Sequence, residues 1–457
     1  MDLTFWHFFF MAATIALVIG SGIYAARSIH SAEGYSLGGR SAGVPLIAGS
    51  IAGTIIGGGA TVGTAQLAFS YGLAAWWFTL GSGIGLAIMG FFYARRMRST
   101  GLATIPEFLN TYYGGHSETA SSLISSIGIL LSVVASVLPG IQIISAFFGT
   151  APWISAVILT LLVLAYTFFG GMKSAGVGGI MKMIVICASL MVAGFFAFQD
   201  ISALPDFDQR FPAMPWLSLF GEGVQPALTS LFSVIVGVLC TQTYVQAIFS
   251  AATPITAEIG CIVGALIIIP VGLPSVAIGM YMHAHAADTL PILVLPAYLM
   301  ERENAVIAGV AMGGIILSLV GSIGGLSLGI GTMISHDIIS PLLRIKNDKL
   351  LLLVTRLSVL AVIITGSVIA ILNLDSQVLF WNYLSMALRG GGIFLPLTLA
   401  VFCPGRLTPK WAFASMILST AGSILTATVF PLPLSPLFVG LILSALLILP
   451  GIRWGKI

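Results

Sequence analysis

The chain has 457 residues, of which 58% are hydrophobic and only 7% charged, and its net charge is +3. Soluble domains carry about 25% charged residues, so the composition excludes a soluble protein and indicates a chain that crosses a membrane many times. The small net charge gives no indication of a nucleic-acid partner, and the four cysteines show neither a disulfide framework nor the paired spacing of a zinc site.

Apolar segments of membrane-spanning length follow one another along the whole chain. At about 20 apolar residues per crossing, about thirteen spans are predicted. They are residues 5–25, 43–70, 75–95, 119–148, 152–169, 176–199, 224–250, 258–284, 305–338, 349–373, 377–402, 410–430 and 434–451. The connections on one side hold nearly all lysines and arginines, and only Arg210 and Arg302 fall on the other. The positive-inside rule then predicts an external N-terminus and a cytoplasmic C-terminus.

The second predicted span, from Pro45 to Gly72, carries three consecutive glycines at its middle: Gly57, Gly58 and Gly59. Each glycine costs a helix about 1 kcal/mol relative to alanine, so we expect the helix to be interrupted there. Inside a bilayer, freed backbone groups must face protein or a water-filled cavity, where they can hold an ion or a small solute. The alternative interpretation is that the glycines only let another helix pack closely.

Two basic side chains are predicted inside the membrane, and no carboxylate is predicted at its middle. Lys182 lies about 10 Å into the sixth span and Arg389 about 18 Å into the eleventh, at about 1.5 Å per residue. A charge in the membrane costs at least about 2.5 kcal/mol, which makes both functional candidates, with snorkelling to the interface as the alternative. The simplest missing partner is an anion supplied by the substrate, since a carboxylate fits the guanidinium fork. Lys182 is also a candidate proton carrier.

Signatures of an enzyme are missing from the sequence. No buried acid, paired histidines or activated nucleophile occurs at a plausible spacing, and no loop is long enough for a soluble catalytic domain. We therefore predict that the protein is not an enzyme and carries no organic cofactor. A passive pore and a membrane sensor that no longer transports remain alternatives, although pores usually repeat a short subunit around an axis.

Six segments resemble one known family when they are taken in order. They are GTAQLAFSYGLAAWWFTLG (63–81), IPEFLNTYYG (105–114), FGGMKS (169–174), TQTYVQAIFSAATPITAEIG (241–260), GSIGGLSLGIGTMISHDII (321–339) and LRGGGIFLPLTLAVF (388–402). Together they resemble the sodium:solute symporter family over nearly the whole chain.

The resemblance implies an all-α membrane protein of the leucine-transporter type, with about 13 transmembrane helices. Two inverted five-helix repeats, each starting with a broken core helix (1 and 6), are expected at residues 43–199 and 224–402. The single transporter domain, 1–457, then includes a peripheral first span at 5–25 and two peripheral spans within 410–451. The implied function is symport of a small solute with a cation, normally sodium, by alternating access, in a membrane that we expect to be the bacterial inner membrane.

A sodium site is implied between core helices 1 and 8 of this family. Matching the motifs places its ligands at the carbonyls of Gly53, Ile56 and Ser318 and the hydroxyl of Ser322. The chain departs from the family pattern at three positions near this site: Gly321 replaces a common hydroxyl residue, Gly179 a common aspartate, and Lys182 a frequent glutamine. Positions 179 and 182 share a helix face. We therefore hypothesise that the Lys182 ammonium occupies or influences the sodium position, which would make transport proton-coupled or uncoupled.

The solute pocket is expected at the middle of the membrane, between the Gly57–Gly59 break and a facing break near Val236–Val238. The residues predicted to line it are Gly57, Gly58, Gly59, Thr61, Thr79, Gly237, Thr241 and Arg389. Because these offer few directed hydrogen bonds, a sugar is disfavoured. A small carboxylate or amphipathic organic acid is the predicted solute class.

Overall fold

The computed structural model describes residues 4–26, 31–167, 171–430 and 432–453, and this part of the chain is helical, with two isolated bridges as its only extended pairing. The helices, in chain order, are α1 (Phe5–Ala26), α2 (Ala32–Leu37), α3 (Val44–Ile55), α4 (Thr64–Tyr71), α5 (Trp77–Ile88), α6 (Arg95–Arg98), α7 (Ile105–Tyr113), α8 (Gly115–Phe148), α9 (Pro152–Thr167), α10 (Gly171–Ser202), α11 (Phe207–Arg210), α12 (Ala213–Trp216), α13 (Val224–Leu239), α14 (Gln242–Ser250), α15 (Pro254–His285), α16 (Val294–Arg302), α17 (Ala305–Met333), α18 (Ser340–Leu343), α19 (Asp348–Ile371), α20 (Val378–Phe402), α21 (Pro409–Thr428) and α22 (Pro436–Ile448). Residues 168–170 lie outside the described part, so the FGGMKS motif is seen only from Gly171 onward.

The centre of the bundle is α17, which packs against α1, α8, α10 and α19. From Ala311 to Met333 every residue of this helix is buried. Its sequence is rich in glycine, alanine and serine, and such small side chains let neighbouring helices approach closely inside a membrane. The core therefore forms around a helix whose side chains are mostly small. The site described below lies along this helix.

Eight helices in the described part are long and apolar enough to cross a membrane, and nine if the bent pair α13 and α14 counts as one span. Four shorter apolar helices accompany them, at Phe5–Ser21, Val44–Ile55, Pro152–Thr167 and Pro436–Gly451. The number thirteen and the division into repeats at 43–199 and 224–402 stay predictions. The all-helical membrane architecture is as expected.

The first expected break is present in the second apolar segment. Helix α3 ends at Ile55, residues 56–58 form a turn, and a wide helical turn over Gly59–Gly63 leads into α4. The glycines also serve the alternative role that the sequence left open. A methyl group on Gly58 would lie 2.8 Å from the carbonyl oxygen of Ala135, and one on Gly59 would lie 2.7 Å from the Asn382 amide nitrogen. The triplet therefore both interrupts the helix and permits close packing.

The second break lies further along the chain than predicted. Helix α13 continues through Val236, Gly237 and Val238 to Leu239, and α14 begins at Gln242, with a bend of 41° between them. Gly237 remains within the helix. Its lack of a side chain permits close packing, because an added methyl group would lie 2.5 Å from Cβ of Met386. The helix ends where the Thr241 hydroxyl donates to the Gly237 carbonyl, 2.6 Å away.

Several arginines mark one end of the bundle. Arg96 donates to the carbonyl of Val401, Arg98 to that of Ala251 and Arg40 to that of Leu102, so these three side chains lie at the same end. We call this the basic end. At the opposite end, the segment with α11 and α12 forms a small cap, in which the Leu219 carbonyl accepts a hydrogen bond of 2.7 Å from the Trp77 indole.

Candidate functional site

Two serines of α17 hold the end of α3 at the first break. The hydroxyl of Ser322 donates to the carbonyl of Thr54 at 2.6 Å, and the hydroxyl of Ser318 donates to the carbonyl of Ile56. The last carbonyls of a helix have no partner within the helix, so a broken helix must find such donors elsewhere. The predicted cation ligands Ile56, Ser318 and Ser322 thus lie together, between α3 and α17.

Lys182 of α10 extends into this same junction. Its ammonium donates to the carbonyl of Ser318 at 3.1 Å and to that of Ile56 at 3.5 Å. The side chain is 1% exposed. No acidic group pairs with it in the described part of the chain, where the ion pairs are Arg40 with Glu33, Arg95 with Glu258 and Arg210 with Asp206. The lysine charge is therefore met by two of the oxygen atoms predicted to bind sodium.

Two glycines border this lysine, and a third lets its helix approach α3. A methyl group on Gly321 would lie 2.6 Å from the Lys182 ammonium nitrogen. One on Gly53 would lie 2.7 Å from Cα of Gly179 and 3.4 Å from Cε of Lys182, and one on Gly179 would collide with the carbonyl oxygen of Gly49. The hydroxyl residue that the family resemblance led us to expect at 321 would therefore meet the lysine, whereas an aspartate at 179 would collide with the backbone of α3. The departures at 321 and 182 are sterically linked, and the glycine at 179 lets α10 approach α3 closely.

A small cavity lies beside the first break. Its volume is about 20 Å³, and its lining consists of Thr54, Ile55, Gly57, Gly58, Gly59, Phe78, Ser132, Ser136, Tyr244, Leu326, Asn382 and Met386. A volume of this size holds about one water molecule, so the helices must move apart before it admits an organic solute. The lining combines apolar surface with hydroxyl and amide groups and contains no charged side chain.

The predicted pocket residues divide into two groups. Gly57, Gly58 and Gly59 line the cavity, whereas Thr61, Thr79, Gly237, Thr241 and Arg389 do not. The hydroxyl of Thr61 donates to the Gly57 carbonyl within its own helix, and that of Thr79 faces α15 and contacts the Ile269 carbonyl at 3.5 Å. In this conformation the Thr79 hydroxyl is turned away from the cavity, since only one face of α5 can meet it.

Six polar or aromatic lining residues were not predicted from the sequence: Thr54, Phe78, Ser132, Ser136, Tyr244 and Asn382. Ser132 and Ser136 are four residues apart on α8, so they share a face of that helix. The signal that could have located them is the run of serines at this spacing in an otherwise apolar helix. Asn382 carried a similar signal, as a lone amide one helical turn from Ser385.

Arg389 lies next to the cavity without lining it. Its side chain is fully buried, and one terminal nitrogen donates to the hydroxyl of Ser385 at 2.8 Å. Ser385 in turn donates to the Gly128 carbonyl and contacts the Ser132 hydroxyl at 2.7 Å. The Nε and Nη2 groups of the guanidinium have no hydrogen-bond partner among the described residues. Arg389 is thus linked to the cavity through two serines and keeps two free donors.

An aromatic pair separates the cavity from a larger pocket at the end opposite the basic end. Phe78 of the cavity meets Tyr383 edge to face, with ring centroids 6.2 Å apart. Tyr383 lines a pocket of about 320 Å³ that also contains Glu222, Ser230 and Gln377. The pair therefore forms a thin barrier between the pocket and the cavity.

The basic end is closed by backbone and side-chain contacts between distant segments. Ala42 and Ala251 form a bridge, and the side chain of Gln242 accepts from the Ile105 amide at 2.8 Å and donates to the Ala103 carbonyl at 3.2 Å. Thr104 donates to Asp337 at 3.0 Å. The seal joins the start of α7, the start of α14 and the wide helical turn Ile334–Ile339 after α17, so access from this end requires those segments to separate.

Comparisons with known proteins agree with this architecture. The sequence profile of the sodium:solute symporter family matches residues 35–419. The sodium/proline symporter of Staphylococcus aureus is 25% identical over 437 residues, covering 90% of this chain and 84% of that protein. The sodium/proline symporter 2 of Staphylococcus saprophyticus is 24% identical, covering 88% and 82%. The human high affinity choline transporter 1 is 27% identical over 292 residues, which are 58% of this chain but only 48% of that protein.

Solved structures show the same fold. The chain matches a Na⁺-coupled sialic acid symporter in a substrate-bound, outward-open state with a TM-score of 0.83 and 18% identity, covering 99% of this chain and 97% of the other. It also matches the nucleobase-cation-symport transporter Mhp1 in a closed, ligand-bound conformation, with a TM-score of 0.63, 12% identity, and coverage of 92% and 93%.

Proposed function

The chain belongs to the sodium:solute symporter family, and on that premise we propose which of its groups hold the coupling charge and the solute. As a member of this family it is an integral membrane protein and a transporter, not an enzyme, and it couples the movement of a small solute to a cation by alternating access. The proposal concerns the parts that family membership leaves open: the cation, the site residues, the solute class and the orientation.

The Lys182 ammonium takes the place of the coupling sodium in this proposal. The supporting observation is its contact with the carbonyls of Ile56 and Ser318, two of the four predicted sodium ligands. A sodium ion bound to those oxygens would lie beside a like charge, a repulsion that a buried, low-dielectric site makes large. Protonation and deprotonation of the lysine would then supply the charge change that sodium binding supplies elsewhere, and transport would be coupled to protons.

Sodium coupling is the second candidate. The four oxygen groups of Gly53, Ile56, Ser318 and Ser322 are all present, and unwound helix ends of this kind coordinate sodium in secondary transporters. This candidate requires the lysine to leave its two carbonyls in at least one state of the cycle. It differs from the first in a measurable way, since uptake would then follow the sodium gradient.

The solute is proposed to be a small organic anion that binds in the central cavity beside Gly57, Gly58 and Gly59. Arg389 and Lys182 are both buried and neither pairs with a carboxylate of the described chain. A buried charge without a counter-charge is costly, so a solute that relieves this cost while it passes through the protein is favoured to be an anion. The mixed apolar and hydroxyl lining suits a short carbon chain better than a sugar.

The basic end is proposed to face the cytoplasm, because short loops rich in lysine and arginine stay inside. The pocket behind Phe78 and Tyr383 is then external, the N-terminus is outside and the C-terminus inside. The bacterial plasma membrane is the proposed location, in keeping with the staphylococcal relatives.

A substrate screen on purified protein in proteoliposomes tests the proposal. Lactate, glycerate and succinate are each offered beside the neutral amide, with and without sodium, at two pH values. The proposal expects saturable accumulation of a carboxylate against its gradient, driven by a proton gradient and independent of sodium. Uptake driven by sodium alone would establish the second candidate. Saturable equilibration without accumulation would identify an uncoupled transporter, and unsaturable equilibration would identify a pore. No movement at all would identify a protein that no longer transports.

A further inference from the structure

A row of serines runs along one face of α8 from the central cavity toward the basic end. Ser136 and Ser132 line the cavity, and Ser125, Ser121 and Ser117 continue the row at intervals of three or four residues, with Gly128 in the gap. Residues at this spacing lie one above the other on a helix. We call these five serines the α8 serine row.

The part of the row beyond the cavity is buried but incompletely hydrogen-bonded. Ser117, Ser121 and Ser125 are all 0% exposed, and the hydroxyls of Ser117 and Ser125 have no partner among the described residues. Buried polar groups nearly always have a partner, so these hydroxyls, with the unpaired ones of Ser122 and Ser126 on the neighbouring face of α8, call for an explanation. A face that pairs with a solute or with water in another conformation supplies one.

Arg389 lies beside the gap in the row, and this second observation indicates what the row binds. A methyl group on Gly128 would lie 3.2 Å from Cβ of Arg389, so the arginine backbone passes directly over that glycine. Its guanidinium turns back toward Ser385 and the cavity, as side chains on helices generally do. The fully buried guanidinium therefore lies beside Ser385 at the junction between the cavity and the rest of the row, and its Nε and Nη2 groups have no partner among the described residues.

The donors of this junction form a directed chain. Ser385 uses its only hydrogen on the Gly128 carbonyl and accepts from Arg389, so Ser132 must donate to Ser385. The hydroxyls that link the cavity to Arg389 are consequently already paired. The Nε and Nη2 groups of Arg389 are the donors left for a carboxylate, and a guanidinium fork binds a carboxylate bidentately.

We propose that Arg389 and the α8 serine row form a second anion subsite on the release side of the cavity. This inference rests on the anionic solute proposed above. When the seal at the basic end opens, the solute carboxylate moves from the cavity to Nε and Nη2 of Arg389, and then leaves past Ser125, Ser121 and Ser117. Arg389 stabilises the anion in transit and contributes little to its affinity in the cavity.

Comparison of binding with turnover tests the subsite. Binding of the carboxylate identified among lactate, glycerate and succinate is measured on wild type, Arg389→Gln and Arg389→Lys, together with maximal uptake in proteoliposomes. Loss of a charge-assisted hydrogen bond should lower the maximal rate of Arg389→Gln by about tenfold or more, with binding close to that of wild type and partial rescue by lysine. Thermal melting reports whether each variant is folded.

Thiol labelling tests the row without altering the arginine. In a background whose four cysteines are replaced, Ser125→Cys should react with a hydrophilic thiol reagent added at the basic end, and the carboxylate should slow the reaction. Ile127→Cys is the control, because Ile127 is 55% exposed on the outer surface of the bundle, toward lipid. It should react slowly and without solute protection.

The outcomes separate the two proposals. If wild type accumulates none of the carboxylates, the anionic solute is wrong and the subsite falls with it. If wild type accumulates one but Arg389→Gln turns over at the wild-type rate, or loses binding and rate equally, only the subsite is overturned. Unprotected labelling of Ser125→Cys at the rate of Ile127→Cys would also overturn it.

Discussion

The ammonium nitrogen of Lys182 lies 3.1 Å from the carbonyl oxygen of Ser318. This contact joins α10 to α17 at the point where the resemblance to sodium symporters predicts a bound ion. The same nitrogen would be 2.6 Å from any methyl group on Gly321. The lysine therefore occupies the space that a side chain at 321 would need. The first prediction follows from this.

Replacing Gly321 by serine should be tolerated only when Lys182 is shortened. Gly321→Ser forces its Cβ against the ammonium, and overpacking of this kind costs about 1–3 kcal/mol. In the double variant with Lys182→Ala the clash is removed, so part of that loss should be recovered. Thermal melting of both single variants and the double variant gives the coupling between the sites. If the stability changes of the two single variants simply add in the double variant, the two side chains do not clash.

Gly53→Ala should destabilise the contact between α3 and α10. The added methyl group would lie 2.7 Å from Cα of Gly179, and a backbone atom cannot rotate away. Gly264→Ala is the matched control, since its nearest neighbour would be at an ordinary 3.7 Å. We expect a lower melting temperature and reduced uptake for Gly53→Ala alone. Equal behaviour of the two variants would show that the helices can separate at no cost.

Phe78→Ala should open the barrier between the cavity and the pocket that contains Glu222. Phe78 and Tyr383 meet edge to face, so removing one ring leaves a path through the pair. Ser136→Cys, placed in the cavity, should then react faster with a thiol reagent added from the pocket side. Phe380→Ala is the control, because Phe380 lies on the same helix as Tyr383, lines the same pocket and is 53% exposed. Equal labelling rates would place the barrier elsewhere.

Stability should depend on pH through Glu222 in the loop before α13. Burial raises the pKa of the Glu222 carboxyl, so the folded protein holds this proton more tightly than the unfolded chain does. The associated stability is present below the ordinary glutamate range and is lost as pH rises through the raised pKa. Glu222→Gln should therefore have the melting temperature of wild type in acid and a higher melting temperature than wild type at neutral pH.

Asp206→Asn is the opposite control for Glu222→Gln. The hydrogen bond from Arg210 lowers the pKa of the Asp206 carboxyl, so its contribution is present above the ordinary aspartate range and is lost as pH falls. Asp206→Asn should melt at or below wild type at neutral pH and match it in acid. If both variants melted above wild type at neutral pH, or both below it, the assigned directions of the two pKa shifts would be contradicted.

The sequence was most informative where one residue type has few possible roles. The triplet Gly57–Gly59 located the first break, because consecutive glycines weaken any helix wherever it packs. Lys182 and Arg389 stood out because charges inside a membrane are rare. The second break was misplaced, since Gly237 looks the same in sequence whether it ends a helix or accommodates Met386.

The side chains around the cavity depended on information that the sequence does not carry. Thr79 was assigned to the pocket, but its rotation on α5 turns the hydroxyl toward Ile269. Ser132, Ser136 and Asn382 stand out as polar residues in apolar segments, but only the packing of α8 against α20 brings them to the same cavity. Which face of a helix meets which neighbour is a tertiary property.

Sodium-specific stabilisation of the purified protein tests most directly whether Lys182 stands in for the coupling ion. Melting is compared in sodium and potassium chloride of equal ionic strength, for wild type, Lys182→Ala and Ser322→Ala. We predict no difference between the salts for wild type and a sodium-specific increase for Lys182→Ala, whose oxygen ligands are released. Sodium-specific stabilisation of wild type that disappears in Ser322→Ala would contradict the account, because the ion would then share the site with the lysine or displace it.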